Sequence, residues 1–135
     1  MKLVVIDGQG GGMGRALVER LRAARPDQPV LCVGTNALAT AAMLKAGAAA
    51  GATGENAVRV ACRDADVIAG PIGIVLADAL MGEVTADMAA CVAASPAQKV
   101  LLPMQRCNTQ MAGVGPLSAQ ELAEDAVRRI LALLG

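Results

Sequence analysis

Apolar and polar positions along this chain fall into two alternating kinds of segment. Short apolar runs at Leu3 to Ile6, Pro29 to Val33, Asp66 to Gly70 and Lys99 to Pro103 read as strands. Between the first two, Ala16, Leu17, Val18 and Leu21 recur at helical spacing in a helix predicted from about Gly12 to Ala24, ended by Pro26 and Pro29. A second helix is expected from Ala37 to Ala46, with Thr35 or Asn36 as its cap and Gly47 as its stop. Pro71 to Met81 reads as a strand-to-helix junction and helix. Gly82 to Thr85 is then a turn, with Thr85 capping a helix that runs to Ala94 and stops at Ser95-Pro96. Met104 to Gly115 is a loop, with a short strand at Met111 to Val114 as an option. Ser118-Ala-Gln-Glu121 is a capping box opening the last helix, whose stripe is Leu122, Val127, Ile130, Leu131 and Leu134.

The stretch from Ala48 to Cys62 supports two readings. Ala57-Val-Arg-Val-Ala61 alternates like a strand, and its β-branched content favours that choice. Alternatively Ala48 to Thr53 is the strand and Glu55 to Arg63 is helical. The second arrangement places Thr53-Gly-Glu-Asn56 at the end of the sheet where ligands bind. With either choice, near-continuous apolar strands separated by helices imply an α/β architecture. The expectation is a single doubly wound, Rossmann-like domain over residues 1–135, with a mostly parallel sheet of five or six strands.

Composition narrows the chemistry. The chain is 55 % hydrophobic and has no Phe, Trp, Tyr or His. No aromatic ring can stack on a flavin or adenine, no Tyr-x-x-x-Lys pair can protonate a carbonyl, and no histidine can serve as base or metal ligand. Twelve basic and twelve acidic residues cancel, so neither nucleic acid nor an acidic membrane surface is an expected partner. The most apolar run, Val67 to Ala77, contains Pro71 and is too short to span a bilayer, and the apolar stretch after Lys2 ends at Asp7, too soon for a signal peptide. Cys32, Cys62, Cys91 and Cys107 form no Cys-x-x-Cys pair, so a zinc site would need all four. A cytoplasmic protein with reduced thiols is expected. The second helix has Lys45 as its only charge, and a helix apolar all round is a candidate interface between copies in a homo-oligomer.

The candidate site is the turn between the first strand and first helix. Gly8, Gly10, Gly11, Gly12 and Gly14, with Gln9 and Met13 among them, follow the strand directly and lead directly into the helix. In a dinucleotide-binding unit such glycines let the backbone approach a pyrophosphate at the positive end of the helix dipole. The usual Gly-x-Gly-x-x-Gly register would begin at Gln9; the spacings that fit are Gly8-x-x-x-Gly12-x-Gly14 and Gly8-x-Gly10-x-x-x-Gly14. A triphosphatase loop fails, because Arg15 and Ala16 stand where a lysine and a magnesium-binding hydroxyl are required. An NAD site usually carries an acid after the second strand; Gly34-Thr35-Asn36 are uncharged. Either the ligand bears a phosphate there, as NADP does, or neutral groups hold its ribose. Gly70, Pro71 and Ile72 after the next apolar strand, and Arg106 after the last, should join the same edge. Cys107 beside Arg106 is either a reactive thiol or, more in keeping with cysteine, a buried inert one.

Ile6-Asp-Gly-Gln-Gly-Gly-Gly-Met-Gly14, Gly34-Thr-Asn36, Gly51-Ala-Thr-Gly-Glu-Asn56, Gly70-Pro-Ile-Gly-Ile74, Gly82-Glu-Val-Thr85 and Arg106-Cys-Asn108 carry a resemblance. Over its whole length the chain resembles a family of short uncharacterised prokaryotic proteins of Rossmann-like fold, a domain of unknown function. The resemblance implies that Glu55, Asn56, Glu83 and Cys107 belong to the family's pattern. It implies no catalytic residues. Three functions compete: an NAD(P)-type nucleotide-binding protein, with an oxidoreductase completed by oligomerisation as its enzymatic form; a non-catalytic nucleotide sensor or accessory subunit; and thiol or metal chemistry at Cys107 with Glu55 or Glu83.

Overall fold

The computed structural model describes residues 1–103 and 108–135. In chain order the elements are β1 (Leu3–Asp7), α1 (Gly12–Ala24), β2 (Val30–Gly34), α2 (Ala37–Lys45), β3 (Ala50–Thr53), α3 (Glu55–Asp64), β4 (Val67–Pro71), a 3-10 turn (Ile72–Val75), α4 (Ala86–Ala94), β5 (Gln98–Leu102) and α5 (Ala119–Leu134). The strands form one sheet in the order β3-β2-β1-β4-β5, and every neighbouring pair is parallel. This is an α/β, doubly wound, Rossmann-like arrangement with five strands among the described residues.

Alternation along β1 explains how both faces are covered. Leu3 and Val5 point to one side and meet Leu17, Leu21, Met43, Val127 and Ile130 from α1, α2 and α5. Val4 and Ile6 point to the other and meet Val58, Cys62, Val84, Met88 and Val92. Each of these four β1 side chains is essentially inaccessible to water, as a central parallel strand requires. The chain runs outward from β1 through β2 to the edge strand β3, crosses by α3 to β4 on the opposite side of β1, and continues to β5. The strand order therefore reverses between β1 and β4. Open α/β sheets take ligands at the carboxyl ends of the strands at such a switch point.

Three expectations need correction. Ala57 to Ala61 is not a strand: it lies within α3, and Ala50–Thr53 forms β3 by pairing with Leu31–Gly34 of β2. The valines mislead because Val58 and Cys62, four residues apart, turn inward while Val60 faces water, so helical burial overrides their strand preference. Nor is Ile72 to Met81 a helix. The 3-10 turn ends at Val75, and Asp78, Leu80 and Met81 adopt left-handed backbone conformations that no right-handed helix tolerates. Asp78 N–H donates to the Val84 carbonyl (2.7 Å) and Val84 N–H to the Ala79 carbonyl (3.2 Å), closing the segment into a curl. Met111 to Val114 is a turn through Gly113 rather than a strand. The capping box at Ser118 is present as expected, both of its hydrogen bonds formed.

Candidate functional site

The five glycines of the first turn divide into two groups. Gly8, Gly11 and Gly14 are required by the packing. A methyl group on Gly14 would sit 2.6 Å from Met43 Sδ and 2.9 Å from Asp7 Cβ; on Gly11, 2.9 Å from the Ala39 backbone; on Gly8, 2.5 Å from Thr35 Oγ1 and 2.8 Å from Leu80 Cδ1. Gly11 also has φ of 72°, so the turn itself favours glycine there. Gly10 and Gly12 differ: a side chain at either would meet nothing within 4 Å. Both are exposed, and among the described residues neither N–H has a hydrogen-bond acceptor within the chain. Nothing in the fold calls for glycine at these two positions.

Several donors of the turn are engaged internally. The buried Asp7 carboxylate accepts from Gly8 N–H (2.8 Å) and Gly14 N–H (2.7 Å), capping the N-terminus of α1 from the strand below. Burial pushes this carboxyl above the ordinary aspartate value. The backbone N–H groups of Gly14, Gly8 and Met13 oppose that shift, and the nearby Glu83 charge adds to it.

Glu83 is the residue that reading the chain alone did not place. The curl after the 3-10 turn delivers it against Gly8. There its Oε1 accepts from Gln9 N–H (2.8 Å), Thr35 Oγ1 (2.6 Å) and Asn36 Nδ2 (2.8 Å). Its Oε2 has no such partner among the described residues. Burial works against its charge, but the bonds from Thr35, Gln9 and Asn36 together outweigh this and hold the carboxyl below the usual glutamate value. An acid therefore does stand beside the end of β2, supplied 48 residues downstream of Thr35. The signal available beforehand was the Gly82-Glu-Val-Thr85 motif, with no indication of where the chain would bring it.

The neighbouring motifs support this edge. Asn36, rather than Thr35, caps α2 by accepting from Ala39 N–H (2.9 Å), and it also donates to the Gln9 carbonyl (3.0 Å). Thr85 caps α4 and donates to Glu55 Oε1 (2.5 Å), tying the start of α3 to that of α4. Thr40 is buried and its Oγ1 meets Thr53 Oγ1 at 2.7 Å, joining α2 to the end of β3. Thr53-Gly-Glu-Asn56 thus lies at the same end of the sheet.

Gly8, Gln9, Thr35 and Asn36 come together around Glu83, while Gly11 packs against α2 and Gly14 against Asp7 and Met43. Gly70 and Pro71 end β4, beside β1, and are buried. Gly70 has a packing reason of its own, since an added methyl would stand 2.2 Å from the Ile6 carbonyl oxygen. Ile72 faces a separate broad cleft of about 1250 Å³, with Pro103, Asn108, Met111, Leu117 and Leu122. Arg106 and Cys107 lie outside the described residues. Arg15, the residue after Gly14, pairs with Glu19 (3.0 Å) along the exposed face of α1.

Among the described residues no group of three or more cysteines and carboxylates is gathered for a metal ion, and no helix is long and apolar enough to cross a membrane. No curated protein and no solved structure matches the chain. Residues 2–135 match the family described as Domain of unknown function (DUF3842), and the chain belongs to that family.

Proposed function

We propose that this protein binds a nucleotide of the NAD(P) type, with a phosphate group seated over Gly10 and Gly12 at the start of α1. The observation that carries the reading is the pair of glycines that packing does not require. Both are exposed at the N-terminal, positive end of a thirteen-residue helix, beside the switch point of the sheet. A glycine that the fold does not need is explained by an approaching ligand, because a side chain there would stand between that ligand and the backbone. The doubly wound topology and the polar edge at Thr35 and Asn36 are consistent with this.

The reading concerns binding. An oxidoreductase completed by a second subunit and a nucleotide-sensing accessory subunit would both use this turn. The outer face of α2 supports self-association, since Leu38 is 68 % exposed and Leu44 41 % exposed on a helix whose only charge is Lys45.

The test is Gly10→Ala and Gly12→Ala, singly and together. Each variant should fold with wild-type stability, because the added methyl meets nothing. Each should also weaken NADH or NADPH binding by about tenfold or more, a loss of at least ~1.4 kcal/mol on the affinity scale. Unchanged affinity in folded variants, or no binding by the wild-type chain at millimolar dinucleotide, defeats the reading. With no Trp or Tyr in the chain, absorbance near 280 nm in natively purified protein directly reports a retained nucleotide.

A further inference from the structure

We infer that Glu83 is the ribose-recognising and specificity-determining residue of this site, selecting an adenosine ribose whose 2′- and 3′-hydroxyls are free. The inference rests on the dinucleotide reading above and adds the class of ligand: NAD rather than NADP, or another adenosine diphosphate with an unmodified diol.

The geometry is that of a carboxylate fixed on one side and open on the other. Three donors converge on Oε1: the Gln9 N–H of the glycine turn, and the Thr35 hydroxyl and Asn36 amide that follow β2. These bonds orient the group and keep it charged at neutral pH, while Oε2 is left to accept. A ribose bound between the end of β2 and the glycine turn would present its diol there, and a carboxylate accepting from a diol forms charge-assisted bonds. A 2′-phosphate would instead bring further negative charge against the Glu83 carboxylate. Among the described residues, Arg15 is paired with Glu19 and Arg59 with Glu55 (3.6 Å).

The curl that positions Glu83 suits a role beyond filling space. Asp78, Leu80 and Met81 all hold left-handed conformations that are costly for residues other than glycine. Met81 stands 96 % exposed at its tip, while the next residues turn Glu83 onto the turn and bury Val84 in the core. The strained segment is therefore anchored at Val84 and aimed at Gln9, Thr35 and Asn36.

Titrations of the wild-type chain, Glu83→Gln and Glu83→Asp with NADH and NADPH, followed by nicotinamide fluorescence, test this. The wild-type chain should bind NADH at least about tenfold more tightly than NADPH, the discrimination expected of one charge-assisted hydrogen-bonded contact. Glu83→Gln keeps an oxygen for the three donors but removes the charge. It should bring the two affinities to within about threefold of each other, whereas Glu83→Asp should restore part of the preference. A merely structural role would lower both affinities together and leave their ratio unchanged, and that result overturns the inference. Equal binding of NADH and NADPH by the wild-type chain overturns it while leaving the dinucleotide reading intact; binding of neither overturns both. Should Glu83→Gln not fold, as judged by circular dichroism, the wild-type chain still decides the point. ADP-ribose must then bind at least about tenfold more tightly than its 2′-phosphate, and equality refutes the assignment.

Discussion

Asp7 and Glu83 both accept from N–H groups of the glycine turn and should respond to pH in opposite senses. Asp7 has its folded value raised above the ordinary 3.8, chiefly by burial, so its stabilising contribution is complete below that pH and is lost as pH rises through the folded value. Glu83 has its folded value depressed below the ordinary 4.5, because the three hydrogen bonds outweigh burial. Its contribution is present above 4.5 and is lost as pH falls through the folded value. In urea unfolding between about pH 3 and 8, the advantage of wild type over Asp7→Asn should shrink with rising pH, and that over Glu83→Gln should shrink with falling pH. Asp64 and Asp125, also depressed by their basic partners, are common to all three chains and cancel. Parallel trends for the two variants would contradict the described geometry. Gly70→Ala provides the steric counterpart to the variants at Gly10 and Gly12. Its methyl would face a backbone carbonyl of the adjacent central strand, which cannot retreat without breaking the ladder, so a loss of about 3 kcal/mol or outright unfolding is expected in the same assay.

At the level of elements, legibility followed locality. The Ser118 capping box, the Thr85 cap, the breaks at Pro26 and Ser95, and four of the five strands rest on interactions within a few residues of each other, which spacing reveals. Ser118→Ala should therefore cost about 1 kcal/mol in thermal or urea unfolding. The errors fell where a local signal competed with a distant partner. Ala50–Thr53 is exposed at every residue and looks unlike a buried strand, yet it pairs along β2 as the sheet's edge. Val58 and Val60 look like a strand, yet they split between core and water on a helix. From Leu76 to Met81 the composition suits a helix, but burying Val84 and bonding Asp78 N–H to its carbonyl forces the curl.

Across the whole molecule, the reversal of strand order between β1 and β4 sets the glycine turn beside the end of β4 and places α2 and β3 at one lateral edge. That edge carries Leu38 and Leu44, with alanine and glycine along β3 and no charge within the strand to discourage association. If the chain self-associates through α2, Leu38→Glu with Leu44→Glu should reduce the mass measured by light scattering to that of one chain, 13.5 kDa, while preserving the helical circular dichroism. An unchanged mass in a folded variant, or a wild-type chain that is already monomeric, argues against that interface.

The order of apolar runs and glycine breaks was enough to specify a parallel α/β architecture and the turn between β1 and α1, because periodicity and turn chemistry act over a few neighbouring residues. It could not separate Gly10 and Gly12 from the three glycines that packing demands, since that distinction depends on Met43, Ala39, Thr35 and Leu80 arriving from other elements. Nor could it supply the acid absent after β2. Glu83 reaches Gln9 across 74 residues of chain, through a crossover and a strained curl whose conformation depends on the core it packs against. Long-range burial set that position, and no short-range pattern in the sequence encodes it.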